Sequence, residues 1–264
     1  MLSKDLKVAL CPLEISWDNF DSNISSVENV LSSVHPETDL LILPETFTTG
    51  FPAGKSKEEV MKIASLSANV IEWLKGESQR RNLAICGSMV VEENEELFNR
   101  AFVIEPSGDV TFADKRHLFS MAGENKTFTS GKDRLLVRYR GWNIAMIVCY
   151  DLRFPVWCRN VSNEYDVLIA VANWPEVRVN AWNVLLPARA IENEAYVCGV
   201  DCRGVDNNGF SYDGSSHVYD FKGKEIGIKS NDASIIYATL SREKLDAFRK
   251  KFPAYLDADR FTLV

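Results

Sequence analysis

A cysteine at the end of an apolar run is the first chemically suggestive feature of this sequence. Ile144-Ala145-Met146-Ile147-Val148 leads into Cys149 and then into Tyr150-Asp151-Leu152-Arg153-Phe154-Pro155. A buried strand ending at a thiol is expected, with Pro155 opening the next helix. Open α/β sheets place their sites at such carboxyl ends, where backbone N–H groups past the thiol are free to face an anion. Most free cysteines are small buried apolar residues; Cys149 differs in the polar cluster that follows it. A second apolar run, Leu40-Leu41-Ile42-Leu43, passes through Pro44 into Glu45, a carboxylate able to act as a base at the mouth of a sheet. A third strand end, Phe112-Ala113-Asp114-Lys115-Arg116-His117-Leu118-Phe119, carries Lys115, and Glu124 follows in Met121-Ala122-Gly123-Glu124-Asn125. Taken singly, Glu45 reads equally as a solvated loop acid and the charge run as a solvated face.

Taken together, in the order Glu45, Lys115, Cys149, a carboxylate, an ammonium and a thiol at strand ends form a set that could carry nucleophilic catalysis, with the carboxylate as base to the thiol. His117 would share a strand face with Lys115, so a Cys149–His117 pair is the competing activation. Arg153 is the candidate to hold a substrate carboxylate through two parallel hydrogen bonds; its alternative is an internal pair with Asp151 or Glu124. Phe47, Phe119, Met121 and Trp174 are candidate pocket walls, with ordinary core packing as their alternative.

These residues need a frame. Apolar runs recur at 8–10, 40–43, 83–91, 98–104, 135–139, 144–149, 167–171, 196–200, 217–221 and 235–240. Several are unbroken, which suggests strands covered on both faces. Amphipathic helical spacing appears over 22–34, 57–81 and 180–194, and turn residues at 106–109 and 222–224 predict hairpins. The pattern suggests an α/β layered sandwich of two sheets with helices outside, in a single domain over 1–264; periodicity alone does not separate this from a doubly wound open sheet. The tail, 251–264, carries Phe252, Tyr255 and Phe261 among polar residues. It is a candidate subunit contact, or packs on its own chain.

Composition narrows the function. The 264 residues include 30 Lys and Arg against 37 Asp and Glu, a net charge of −7, and 46% are hydrophobic. That balance argues against nucleic acid as a partner and against disorder. No apolar run approaches the roughly 18 residues that span a bilayer. Lys7 and Glu14 interrupt the opening segment, so it does not read as a signal peptide, and a cytoplasmic location without membrane partners is expected. The cysteines at 11, 86, 149, 158, 198 and 202 are scattered as reduced thiols would be, and no CxxC suggests redox chemistry. His35, His117 and His217 lack metal-ligand spacing. GxGxxG and GxxxxGK[ST] are absent. Neither a metal nor a cofactor is expected.

The motifs LPETF (43–47), DKRHLF (114–119) and VCYDLRFP (148–155), in that order, resemble the nitrilase superfamily of carbon–nitrogen hydrolases. Similarity continues in ANWP (172–175), LLPARAIENEAYV (185–197) and KFPAYLDADRF (251–261), and so covers nearly the whole chain. Within that superfamily it is most similar to bacterial omega-amidases, which hydrolyse 2-oxoglutaramate and 2-oxosuccinamate. The resemblance implies a four-layer αββα sandwich that forms a homodimer or higher homo-oligomer. It also implies a Glu45–Lys115–Cys149 triad assisted by Glu124, with Arg153 on the substrate carboxylate and a small-molecule amide as partner. An amide is a poor electrophile with a poor leaving group, and a nucleophile divides the difficulty between two steps. On that chemistry Glu45 takes the thiol proton, Cys149 attacks the amide carbon, and Lys115 and the backbone N–H of Tyr150 stabilise the oxyanion. Ammonia leaves, and water, with Glu45 again as base, cleaves the thioester. Nitrilases, N-carbamoyl amide hydrolases and general aliphatic amidases would use the same triad, and a catalytically silent binding protein would keep the same fold. One departure stands out. Where relatives carry a hydroxyl-bearing loop, this chain reads Asn173-Trp174-Pro175-Glu176-Val177-Arg178. The substrate's second contact is therefore open.

Overall fold

A computed structural model describes residues 5–52, 54–231, 234–259 and 261–262. Met1–Lys4 of the opening segment, and Arg260, Leu263 and Val264 of the tail, lie outside them. In chain order the elements begin with β1 (Leu6–Leu10), α1 (Phe20–Ser33), β2 (Leu40–Ile42), α2 (Lys57–Leu66) and α3 (Val70–Arg81). Then come β3 (Ala84–Glu93), β4 (Glu96–Ile104), β5 (Val110–Asp114), β6 (Leu135–Tyr139) and β7 (Trp142–Val148). A 3₁₀ turn over Cys149–Arg153 leads to α4 (Pro155–Cys158), β8 (Val167–Ala172), α5 (Val179–Asn193) and β9 (Tyr196–Asp201). The chain closes with β10 (Arg203–Val205), β11 (Ser211–Asp213), β12 (His217–Tyr219), β13 (Ile228–Lys229), β14 (Ile236–Leu240) and α6 (Arg242–Lys251).

Among the described residues one sheet has the order β13-β14-β1-β2-β3-β4-β5 and a second the order β12-β9-β8-β7-β6. The period-2 alternation of the strands explains how they stack. Leu6, Val8 and Leu10 of β1 join Ile144, Met146 and Val148 of β7 in the core between the sheets. Ala9 faces the other way, into a core with Val27 and Leu31 of α1 and Leu74 of α3. Ala145 and Ile147 likewise pack outward, against Trp182 and Leu186 of α5. The result is the four-layer αββα sandwich that the family resemblance implies. Both faces of the central strands are covered, which accounts for their unbroken apolar runs.

Two elements differ from the sequence-based expectation. The amphipathic stretch over 57–81 is two helices, broken at Ser67–Asn69, where the buried Ser67 hydroxyl meets Thr48 at 3.3 Å. Ser and Asn side chains compete with the helical backbone, which favours a break there. The helix α6 is not anticipated, because its few apolar contacts, Leu245 and Phe248, sit in a highly charged segment. Phe248 stacks on Phe221 with ring centroids 4.7 Å apart. Of the tail, Phe252, Leu256 and Phe261 are exposed, and the Ala254 N–H donates to Glu194 Oε1 at 3.0 Å.

Strand direction gathers the chemistry. β1, β2 and β3 are mutually parallel, as are β7, β8 and β9. β5 is antiparallel to β4, itself antiparallel to β3, so β5 points the same way as β3. The carboxyl ends of β2, β5, β7 and β8 immediately precede Leu43–Glu45, Lys115, Cys149 and Asn173 respectively.

Candidate active site

Two sharp turns present the acid and the sulfur. Cys149 has φ +46° and Thr46, next to Glu45, has φ +40°. Both lie in the left-handed region, which a non-glycine residue occupies at a cost of about 1–3 kcal/mol. Each turn ends an apolar run abruptly and leaves its polar side chain at the sheet mouth instead of in a core layer.

The acid is held from three sides. Glu45 Oε1 accepts from Lys115 Nζ at 2.9 Å and from Asn99 Nδ2 at 2.7 Å, and Oε2 accepts from the Asn173 N–H at 2.8 Å. The Asn173 side chain returns to the Glu45 carbonyl at 3.1 Å and to Thr46 Oγ1 at 2.8 Å. Lys115 Nζ also donates to Glu124 Oε1 at 3.0 Å, and Glu124 Oε2 accepts from the Phe119 N–H. All three charged side chains are almost fully buried. The half-buried Cys149 sulfur lies 3.8 Å from the Asn173 carbonyl.

Burial is the strongest influence on these groups. It pushes the Cys149 thiol well above its ordinary value; Glu45 adds to the rise and Lys115 opposes it. Burial also raises Glu124, against the pull of Lys115 and with the help of Glu45. On Lys115 burial acts downward, but Glu124 and Glu45 together overcome it and hold the ammonium charged. The resting site therefore combines a neutral thiol with a fixed cation.

These groups open onto a cavity of about 400 Å³. Glu45, Lys115, Cys149, Tyr150, Arg153, Phe119, Met121 and Trp174 line it, as do Phe51, Asn173, Arg178, Asp206, Phe210 and Tyr212. Arg153 is exposed and stacks over Trp174, 4.8 Å from the ring centroid. Tyr150 is the second residue of the 3₁₀ turn, where the first amides have no partner within the turn. Among the described residues no group of His, Cys, Asp and Glu could hold a metal ion.

A family model described as carbon–nitrogen hydrolase matches residues 7–250. The chain belongs to the carbon–nitrogen hydrolase family. It is 40% identical over 260 residues to the omega-amidase YafV of Yersinia enterocolitica, covering 98% of this chain and 99% of that one. It is 27% identical to the 2-oxoglutaramate amidase of Bacillus subtilis, over 95% of this chain and 96% of that one. The crystal structure of XC1258 from Xanthomonas campestris, a CN-hydrolase superfamily protein with an arsenic adduct in its active site, superposes with a TM-score of 0.91. It is 37% identical and covers 99% of this chain and 100% of that one.

Within this carbon–nitrogen hydrolase, one sequence-based expectation needs correction and one alternative falls away. Phe47 is not a pocket wall: the turn at Thr46 sends it into the core, edge-on to Phe102 at 6.2 Å. Phe51 supplies a wall instead, its ring centroid 5.3 Å from Lys115 Nζ. His117 does not pair with Cys149. β5 ends at Asp114, so strand alternation no longer governs 115–117. The His117 ring bonds Asp151 Oδ1 at 2.8 Å, stacks on Phe154 at 3.7 Å and lines a separate cavity with Arg116 and Trp157. Asp151 and Glu124 are thus engaged elsewhere, and neither forms an ion pair with Arg153 among the described residues.

The sequence reading does not single out Asn99, Phe51, Asp206, Phe210 or Tyr212, and gives Arg178 no role. A signal existed for Asn99, a polar residue at a fully buried register position of β4. The last three come from the short β10–β11 hairpin region, where no apolar run is long enough to register.

Proposed function

We propose that this protein hydrolyses the terminal amide of a small 2-oxo dicarboxylic acid monoamide, 2-oxoglutaramate or 2-oxosuccinamate, to the acid and ammonia. The observation that carries the reading is the meeting of Glu45, Lys115 and Cys149 at one cavity whose lining includes the Arg153 guanidinium. The names of the YafV and Bacillus subtilis relatives point to the same substrate class.

In this mechanism Glu45 accepts the Cys149 proton as sulfur attacks the amide carbon. Lys115 has one N–H beyond those given to Glu45 and Glu124, and this and the Tyr150 amide take the oxyanion. Glu45 passes the proton to nitrogen, ammonia departs, and a thioester remains on Cys149. Water, deprotonated by Glu45, releases the carboxylate and restores the thiol. Glu124 is a positioning residue that fixes Lys115. Asn99 and the Asn173 amide hold Glu45. Arg153 takes the substrate carboxylate in a bidentate pair, and Phe119, Met121 and Trp174 form walls. These steps call on no metal or cofactor.

Nitrilases, carbamoylases and aliphatic amidases would share the triad; the guanidinium beside it favours an acidic amide. Ammonia release from 2-oxoglutaramate, an aliphatic nitrile and an N-carbamoyl amino acid separates them. Preference for 2-oxoglutaramate is expected, whereas carbon dioxide released with ammonia would establish a carbamoylase. Turnover surviving Glu45→Gln but lost in His117→Ala would overturn the carboxylate as base. A cytoplasmic homodimer or higher homo-oligomer belongs to the same proposal. Exposed Val184 and Ile191 on α5 are candidate contacts, to be checked by light scattering and cell fractionation.

A further inference from the structure

We infer that Arg178 is a second specificity-determining guanidinium. With Arg153 it reads a head group made of a carboxylate and an adjacent carbonyl oxygen, and disfavours the same head carrying an ammonium. The inference rests on the acid-amide reading above and names what that site selects.

The charges lining the cavity are unequal. Glu45 and Asp206 stand against Lys115, Arg153 and Arg178, although the chain as a whole is negative. Glu45 and Lys115 already pair with each other. Asp206 is also engaged: Oδ1 accepts the N–H groups of Asn208 and Phe210 at 2.9 Å, and Oδ2 accepts from the Tyr212 hydroxyl at 3.1 Å. The two guanidiniums remain. Among the described residues neither forms an ion pair, and each lies against aromatic rings. Arg153 stacks over Trp174, while Arg178 is 5.3 Å from the centroid of Phe119 and 5.9 Å from that of Phe210. Such stacking occupies guanidinium faces and leaves the in-plane N–H edges for acceptors.

Trp174 links the two. Its ring lies beneath Arg153, its indole N–H donates to the Arg178 carbonyl at 2.8 Å, and its backbone N–H is fixed by buried Asp201 at 2.7 Å. Both cations are thus built around one rigid indole. One guanidinium engages both oxygens of a carboxylate in a bidentate pair and leaves each a lone pair. A second in the same cavity can share one of these and also reach an acceptor beside it. A 2-oxo acid offers a third oxygen next to the carboxylate, whereas a 2-amino acid puts a cation there, which a neighbouring guanidinium repels at short range.

Glutamine is the matched probe, because it shares the carboxylate and the amide of 2-oxoglutaramate and differs in the ammonium. The test measures kcat/KM for 2-oxoglutaramate, glutamine and uncharged butyramide in wild type, Arg178→Gln, Arg178→Lys and Arg153→Gln. Wild type is expected to prefer 2-oxoglutaramate over glutamine by about 100-fold or more. Arg178→Gln should narrow that preference at least about tenfold, mainly through KM, with a much smaller loss on butyramide. Arg178→Lys should retain part of the preference, and Arg153→Gln should lower both acids alike. An unchanged oxo-to-amino ratio in Arg178→Gln, or equal losses on butyramide and 2-oxoglutaramate, would overturn the inference. If wild type does not hydrolyse 2-oxoglutaramate, the substrate reading fails separately. Arg178 is then judged by protection of Cys149 from iodoacetamide. Protection by 2-oxoglutarate but not glutamate, lost in Arg178→Gln, supports the role, and its absence in wild type refutes it.

Discussion

Two buried clusters in this molecule hold three charges each, in opposite proportions. At the cavity, Glu45 and Glu124 share Lys115. Beneath α6, Asp166 is shared by Arg242 and Arg249, each at 2.8 Å, and also accepts the Asn143 N–H at 2.9 Å. In the second cluster burial pushes the carboxyl upward, but the Arg242 hydrogen bond, the Asn143 amide and the two guanidiniums win and hold Asp166 below its usual range. In the first, burial and the neighbouring acid win, and Glu124 is raised. An excess of cations locks a carboxylate in its charged form and pins a helix to the sheet. An excess of carboxylates around one ammonium, beside a cavity, leaves Glu124 raised instead of locked in its charged form. In the proposed mechanism the same residue types serve attachment in one place and chemistry in the other.

Substitutions can break this contrast. The largest effect is expected at the cavity: Cys149→Ala and Glu45→Gln should each lower kcat/KM for the amide by roughly 10⁴-fold or more. Thermal melts should show no comparable loss of folded protein. At the other cluster, Asp166→Asn takes the ion pair from Arg249 and leaves Arg242 only the exposed Asp246 at 3.5 Å, and should cost roughly 3–5 kcal/mol in chemical denaturation. The activity of its folded fraction should stay within about twofold of wild type. The sign of its pH dependence follows from the lowered carboxyl. The stabilisation is present above the ordinary aspartate value of about 3.9 and disappears as pH falls through the lower folded value. The gap between wild type and Asp166→Asn should therefore close in acid; a gap that widened below pH 4 would contradict the assignment.

Glu124→Gln should have a smaller effect, about 10²-fold in kcat with little change in KM, because Lys115 loses an anchor and keeps its charge. A KM effect alone would instead make Glu124 a binding residue. The mildest readout is spectroscopic. With the Cys149 thiol raised by burial and by Glu45, the difference in thiolate absorbance between wild type and Cys149→Ala should show no step below about pH 9. A step near pH 7 would mean a preformed thiolate and remove the need for Glu45 as base.

Most of the frame was readable in the order of residues, because strands covered on both faces leave unbroken apolar runs, and three of those runs end in chemically distinctive groups. Glu45, Lys115 and Cys149 stand out for that reason. What was hidden depends on turns and on distant contacts. The positive φ at Thr46 redirects Phe47 into the core, which no alternation rule anticipates. Asn99 reaches Glu45 across the sheet, and its role exists only once β4 is in register. Arg178 is one arginine among many until the cavity closes around it. The helix α6 escaped notice because charge clusters and a few aromatic contacts, not an apolar stripe, hold it in place.

In the proposed mechanism a neutral thiol, relieved of its proton by Glu45, becomes acylated by an amide. Intact-mass spectrometry of enzyme quenched during turnover of 2-oxoglutaramate tests it most directly. The expected result is an adduct equal to the substrate minus ammonia, mapped to Cys149 and absent from Cys149→Ala and Glu45→Gln. Steady ammonia release by Cys149→Ala, or an adduct formed at full rate in Glu45→Gln, would contradict it.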